Sequence, residues 1–343
     1  MSRKLITIST IMTLMSTSVI ADVPNVAADI APIHSLVSRV MDGVGAPKLI
    51  VQSGASPHGY RLRPSEAKAL QDADHVFWMG EELTPWLDSA IGTLASKASV
   101  TTLLDQQGVI LHDFREGALF EAHDHDDHDD HDDHDDHDEH KDHDDHDDHD
   151  EHDEHKDHDD HDDHDDHDDH DDHGSHDPHA WLSPENAKLW LNIIASKLSV
   201  SDPENAATYF MNAAAGQAEI EAMIAEVKAT LKPVQGGKFV VFHDAYQYFE
   251  NDFDFYASGA ISLGDSSDPS PSRIEKVQNR IRDEGIQCVL AEPQFKKGLV
   301  ATVMEGSDAT ASVIDPLGTE LETGPKLYTR LIKNMAKTLR NCL

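Results

Sequence analysis

Apolar positions in this chain fall into short continuous runs, separated by stretches with helical spacing. Ala31-Pro-Ile-His-Ser-Leu-Val-Ser-Arg-Val-Met opens as a helix, and Lys48-Leu-Ile-Val-Gln reads as a strand ending in the loop Ser53-Gly-Ala-Ser-Pro-His-Gly-Tyr. Pro64 starts a second helix with Glu66 favourably placed in its first turn, and His75-Val-Phe-Trp-Met is the next strand. The same alternation returns late in the chain. Lys238-Phe-Val-Val-Phe is a strand that delivers His243 and Asp244 at its carboxyl end, and Ser270 opens a helix reaching about Asp283. Ile286-Gln-Cys-Val-Leu-Ala is a buried strand ending at Glu292, and Thr310-Ala-Ser-Val-Ile is another, delivering Asp315. A terminal helix runs from about Pro325 to Leu339. Strands alternating with helices predict parallel sheets covered by helices, an α/β fold.

Between these halves, Ser183 caps a helix with Pro184 at its first position. Asp202-Pro-Glu-Asn then opens a helical pattern that continues to about Leu231, with Pro233 just beyond. Such a length reads as a rigid spine. The predicted architecture is two lobes, each a parallel sheet with flanking helices, joined by one long helix. The expected boundaries are 22–202 for the first lobe, 203–232 for the linking helix and 233–343 for the second lobe.

One segment departs from this pattern altogether. From His123 to His176 the chain repeats His-Asp-Asp, with Glu or Lys occasionally replacing an Asp and no apolar residue to bury. Its histidines are His123, His125, His128, His131, His134, His137, His140, His143, His146, His149, His152, His155, His158, His161, His164, His167, His170, His173 and His176. Between Glu121 and Asp177, 33 acidic side chains face two lysines, so this segment holds 31 of the chain's 39 net negative charges. Like charges and the lack of a core predict disorder, since nothing offsets the entropy of ordering. A solubilising linker needs charge but not a histidine at every third position. Imidazole and carboxylate at this density suit zinc, copper or nickel, so the segment is expected to be a low-affinity, exchangeable metal-collecting loop.

Met1-Ser-Arg-Lys and the apolar run Leu5–Ile20 read as a secretory signal cleaved after Ala21, within 1–21. An exported chain with two cysteines, Cys288 and Cys342, favours one disulfide between them. The acidic balance argues against nucleic acid as a partner.

Five motifs carry a resemblance. Gly54-Ala-Ser-Pro-His-Gly-Tyr, Asp177-Pro-His-Ala-Trp-Leu-Ser-Pro, Val241-Phe-His-Asp-Ala-Tyr-Gln-Tyr-Phe, Ala291-Glu-Pro-Gln-Phe and Ile314-Asp-Pro-Leu-Gly resemble, in order, the periplasmic metal-binding, solute-binding proteins of ABC transporters. Within that family the chain is most similar to the zinc-specific members. The resemblance implies two α/β lobes with the metal in the cleft between them. It also implies three histidine ligands, which fall on His58, His179 and His243. Three neutral imidazoles prefer zinc to hard manganese or magnesium. Some zinc members carry a glutamate just before the first histidine, where this chain has Pro57, so the fourth ligand is Asp315 or a water, with Asp315 favoured. Asp244 and Tyr246 are expected to support His243 by hydrogen bonds, and Glu292 to serve a structural or supporting role. A lone histidine is more often a satisfied polar residue than a ligand, and His34, His75 and His112 are read that way.

The expected function is high-affinity capture of zinc in the periplasm by a monomer, and delivery to an ABC permease in the cytoplasmic membrane. Three histidines and a water also describe a catalytic zinc. The chain lacks His-Glu-x-x-His, a Gly-rich phosphate loop and a Gly-x-Ser-x-Gly elbow, so a zinc hydrolase is the weaker reading. A periplasmic metal buffer using only the tract would not need two lobes and a cleft.

Overall fold

The computed structural model describes residues 23–115, 120, 176–262, 264, 269–294 and 297–343. The expected signal sequence at 1–21 and all but the last histidine of the His/Asp tract lie outside these residues.

The first sheet contains β1 (Val26–Ala28), β2 (Lys48–Leu49), β3 (His75–Trp78) and β4 (Ser99–Thr102), all parallel in the order β2-β1-β3-β4. Helices α1 (Ala31–Val40), α2 (Pro64–Gln71) and α3 (Pro85–Leu94) connect them. After the tract come α4 (Pro184–Ser201) and α5 (Ala206–Leu231), an antiparallel pair joined by a short turn. The second sheet repeats the first. Its strands β5 (Phe239–His243), β6 (Ala260–Ser262), β7 (Cys288–Ala291) and β8 (Thr310–Val313) run parallel in the order β6-β5-β7-β8. Its helices are α6 (Gln247–Phe253), α7 (Pro271–Asp283), α8 (Lys297–Val303) and α9 (Leu327–Cys342).

The period-2 pleat sorts the strands between cores. Val26 and Ala28 of β1, with Phe239 and Val241 of β5, belong to one central cluster that also takes in α1, α4, α5 and α9. Their neighbours face the other way. Ala27 joins a cluster under α2 and α3, and Val240 and Phe242 join one under α7 and α8. Each sheet is thus covered on both faces, which is what a parallel sheet requires.

The expected long helix is α5, 26 residues, or about 39 Å at the α-helical rise. It starts a few residues after Asp202, because Asp202 caps the preceding turn: its carboxylate accepts from Asn205 Nδ2 at 2.7 Å and from the Tyr209 hydroxyl at 2.8 Å. Buried Tyr209, Ala213, Gly216, Ile220, Met223, Val227 and Leu231 recur at helical spacing along one face. A Cβ at Gly216 would stand 2.9 Å from Leu191 and 3.1 Å from Arg39, so glycine lets α5 approach α4 and α1 closely. The strand expected at 48–52 is shorter as a ladder, although Ile50 and Val51 still donate to the carbonyls of Ala28 and Asp29 at 2.9 and 2.8 Å.

Cys288 at the start of β7 and Cys342 at the end of α9 form a disulfide, with Cα atoms 5.6 Å apart. Across its 54-residue separation the loop-entropy contribution is roughly 4 kcal/mol. Hydrogen bonds also join the two halves. Trp181 Nε1 donates to Pro316 O at 2.8 Å, the Tyr328 hydroxyl to Trp181 O at 2.9 Å, and Ser35 Oγ to Gly324 O at 2.7 Å.

Candidate metal centre

In each sheet the chain reverses its winding between the first and third strands, and side chains beyond the carboxyl ends meet at such a switch point. In the second sheet the residues there are His243, the last of β5, and Glu292, the first after β7. His243 Nδ1 lies 2.7 Å from Glu292 Oε1, and both side chains are buried. The first sheet makes the same crossing with a different pair. Asp29, directly after β1, accepts from the Met79 amide at 2.6 Å and the Ile30 amide at 2.7 Å.

His179 is positioned locally. Asp177-Pro178-His179 forms a tight turn in which Asp177 Oδ1 accepts from the His179 amide at 3.0 Å and meets its ring Nδ1 at 2.6 Å. His58 sits in the loop after β2, held from behind by Trp86 Nε1, which donates to Pro57 O at 2.7 Å. The three imidazoles converge. His179 and His243 are buried and His58 is half-buried, and one nitrogen from each lies within 4.8 Å of the others. Ring centroids are 5.6 Å apart for His58 and His179, 6.3 Å for His58 and His243, and 4.9 Å for His179 and His243.

The buried carboxylates fix the chemistry of two rings. An ionised carboxylate only accepts, so with such a partner the tautomer that carries its proton on Nδ1 and presents a lone pair at Nε2 is the favoured one. These two Nε2 atoms face each other at 3.2 Å. Two facing lone pairs repel, and a cation bound to both removes the repulsion. Carboxylate–histidine pairs of this kind orient the imidazoles that hold zinc.

The family of periplasmic zinc-uptake proteins, ZnuA, described as zinc-uptake complex component A periplasmic, has a profile that matches residues 26–342. The chain belongs to that family. It is 48% identical to the high-affinity zinc uptake system protein ZnuA of Brucella abortus, over 93% of this chain and 91% of the relative. Identity to the protein of the same name in Paracoccus denitrificans is 45%, over 94% and 93% of the two chains. A crystal structure of ZnuA superposes with a TM-score of 0.68 at 20% identity, covering 94% of this chain and 99% of that one, and so shares the fold. Family membership makes the protein a periplasmic zinc-binding component of an uptake system, and not an enzyme.

Asp315 is not brought into the cluster. Its Oδ1 accepts from the amides of Leu317 at 3.0 Å and Gly318 at 2.9 Å, and its Oδ2 from the Thr319 amide at 2.6 Å and hydroxyl at 2.9 Å. This carboxylate organises its own loop. The His243 ring meets Glu292, the residue expected in a structural or supporting role, while Asp244 pairs with Arg115. Tyr246 is buried, and burial together with the charge of Glu292 raises its pKa well above the ordinary value.

Other histidines stand apart from the cluster. His34 meets Pro47 O at 3.2 Å, His75 meets Ser201 Oγ at 2.7 Å, and burial lowers the pKa of both. His112 packs on Tyr248 with centroids 4.7 Å apart. Of the tract's histidines, only His176 is described: its Nδ1 lies 2.7 Å from Asp113 Oδ1, and the two residues form an antiparallel bridge where the insertion leaves and re-enters the fold. Asp177 had a local signal in the sequence, a carboxylate two residues before a candidate ligand with a proline between.

Proposed function

We propose that this protein captures zinc on the imidazoles of His58, His179 and His243 and delivers it, as a monomer, to the permease of an ABC uptake system. The observation that carries the reading is the facing pair of Nε2 atoms, 3.2 Å apart, each on a ring anchored at Nδ1 by a buried carboxylate. Neutral imidazoles with carboxylate partners suit zinc. In this reading a water fills the fourth position, because Asp315 already satisfies four donors in its own loop. An exchangeable fourth ligand favours release as well as capture.

The division at 22–202, 203–232 and 233–343 follows α5 as the connecting element, and a signal peptide at 1–21 brings the chain to the periplasm. The His/Asp tract collects zinc at lower affinity and raises its concentration near the cleft, an effective-concentration effect of tethering.

The test is calorimetry of the mature chain in competition with a chelator of known affinity. One tight zinc per chain is expected, lost by orders of magnitude in His179→Ala. Unchanged tight binding in that variant would remove these three histidines as the site.

A further inference from the structure

Arg115 lies on the stem by which the His/Asp insertion leaves the fold, and its side chain is only 16% exposed. Its Nε donates to both oxygens of Asp244 at 3.1 Å, Nη2 also reaches Asp244, and Nη1 donates to Glu250 Oε2 at 2.5 Å. Phe120 stacks on the guanidinium, 3.6 Å from Cζ to ring centroid. Asp244 follows His243 directly, and Glu250 lies in the first turn of α6. One planar cation therefore closes the turn that carries His243 from β5 into α6.

The returning stem is wired to the other buried histidine. Asp177 anchors the His179 ring, donates its amide to His112 O at 2.7 Å, and accepts at its own carbonyl from the Tyr248 hydroxyl at 2.7 Å. That same hydroxyl accepts from the His112 amide at 3.1 Å. The stems therefore cross-link, and each ends on a group that touches or adjoins a ligand.

We infer that Arg115 is a positioning residue of the zinc site, and that the two stems of the insertion form one brace that aims His179 and His243. This rests on the zinc reading given above. A guanidinium fork holds two carboxylates at fixed angles, which a point charge does not do. Without it, two buried carboxylates lose their cation, the β5–α6 turn relaxes, and His243 loses its fixed direction. Metal sites tolerate about 0.2 Å in ligand distance, and loss of a supporting residue costs about 10–100-fold in affinity.

The experiment is a chelator-competition titration of full-length mature protein with zinc, paired with the absorption spectrum of Co2+ at the tight site. Arg115→Met should weaken tight zinc about 10–100-fold and alter the Co2+ bands, with Arg115→Lys intermediate. Val227→Ala, a buried α5 residue whose loss lowers apo stability without touching the stems, should keep both properties. Deleting 124–175 should leave tight binding intact, whereas deleting 115–175 should reproduce the Arg115→Met loss. Arg115→Met within twofold of wild type would overturn the inference, as would an equal affinity loss in Val227→Ala. A tight site that survives unchanged in His243→Ala would instead overturn the zinc reading itself.

Discussion

His243 and Glu292 leave neighbouring strands of one sheet and meet at 2.7 Å, so the strand register helps set the direction of the ring proposed to bind zinc. An ionised carboxylate there favours the proton on Nδ1 and turns Nε2 to the proposed zinc. Glu292→Ala should therefore weaken tight zinc by about 10–100-fold with the fold retained. Glu292→Gln keeps an acceptor for Nδ1 and should lose less. Equal affinity in all three proteins, by chelator competition, would show that His243 needs no such partner.

Asp315 offers the contrast. Its four accepted hydrogen bonds all come from the 317–319 loop. Asp315→Ala should lower the melting temperature, because that many buried or half-buried donors lose their acceptor, at about 1 kcal/mol or more each. Its effect on tight zinc should be smaller than that of Glu292→Ala. The opposite order of affinities would restore Asp315 as the fourth ligand.

Deletion of Asp124 to Ser175 removes a segment with no apolar side chain to bury, so the rest should melt nearly as before. One tight zinc should remain, and the weaker sites should vanish. In the intact chain those weaker sites need neutral imidazole, and they should empty as pH falls through about 6.5. Growth under a chelator, compared with growth in replete medium, should show the cost of the deletion. Loss of the tight site in the deleted chain would move the primary site into the tract.

Asp29 is fully buried, and burial pushes its pKa from 3.8 up to about 7 against the opposing pull of the Met79 and Ile30 amides. The native state then holds a proton that the unfolded chain has already released, so this group's contribution falls as pH rises from about 4 to 7. Asp29→Asn cannot titrate. The destabilisation it causes should be largest near pH 4 and shrink towards pH 7, by an amount on the order of 1 kcal/mol per pH unit at most. Denaturant midpoints of the two proteins measured across that window check the sign, and parallel curves would exclude it.

Apolar runs of strand length alternating with helical spacing were enough to specify two parallel sheets and their spine, because each element carries its own periodicity. His58, His179 and His243 stood out for a different reason: each lies in a short motif bounded by Pro or an aromatic residue, visible without neighbours in space. Cys288 and Cys342 were the only available pair. What periodicity does not encode is which side chains meet across strands 49 residues apart, as His243 and Glu292 do, or across the 129 residues between Arg115 and Asp244. An aspartate at a strand end reads alike whether it binds metal or caps its own loop, so the role of Asp315 depended on the turn that follows it. Asp177, Glu292 and Arg115 acquired their roles only when β5, β7, α6 and the two stems packed together, since burial makes a carboxylate seek a partner and packing decides which partner is within reach.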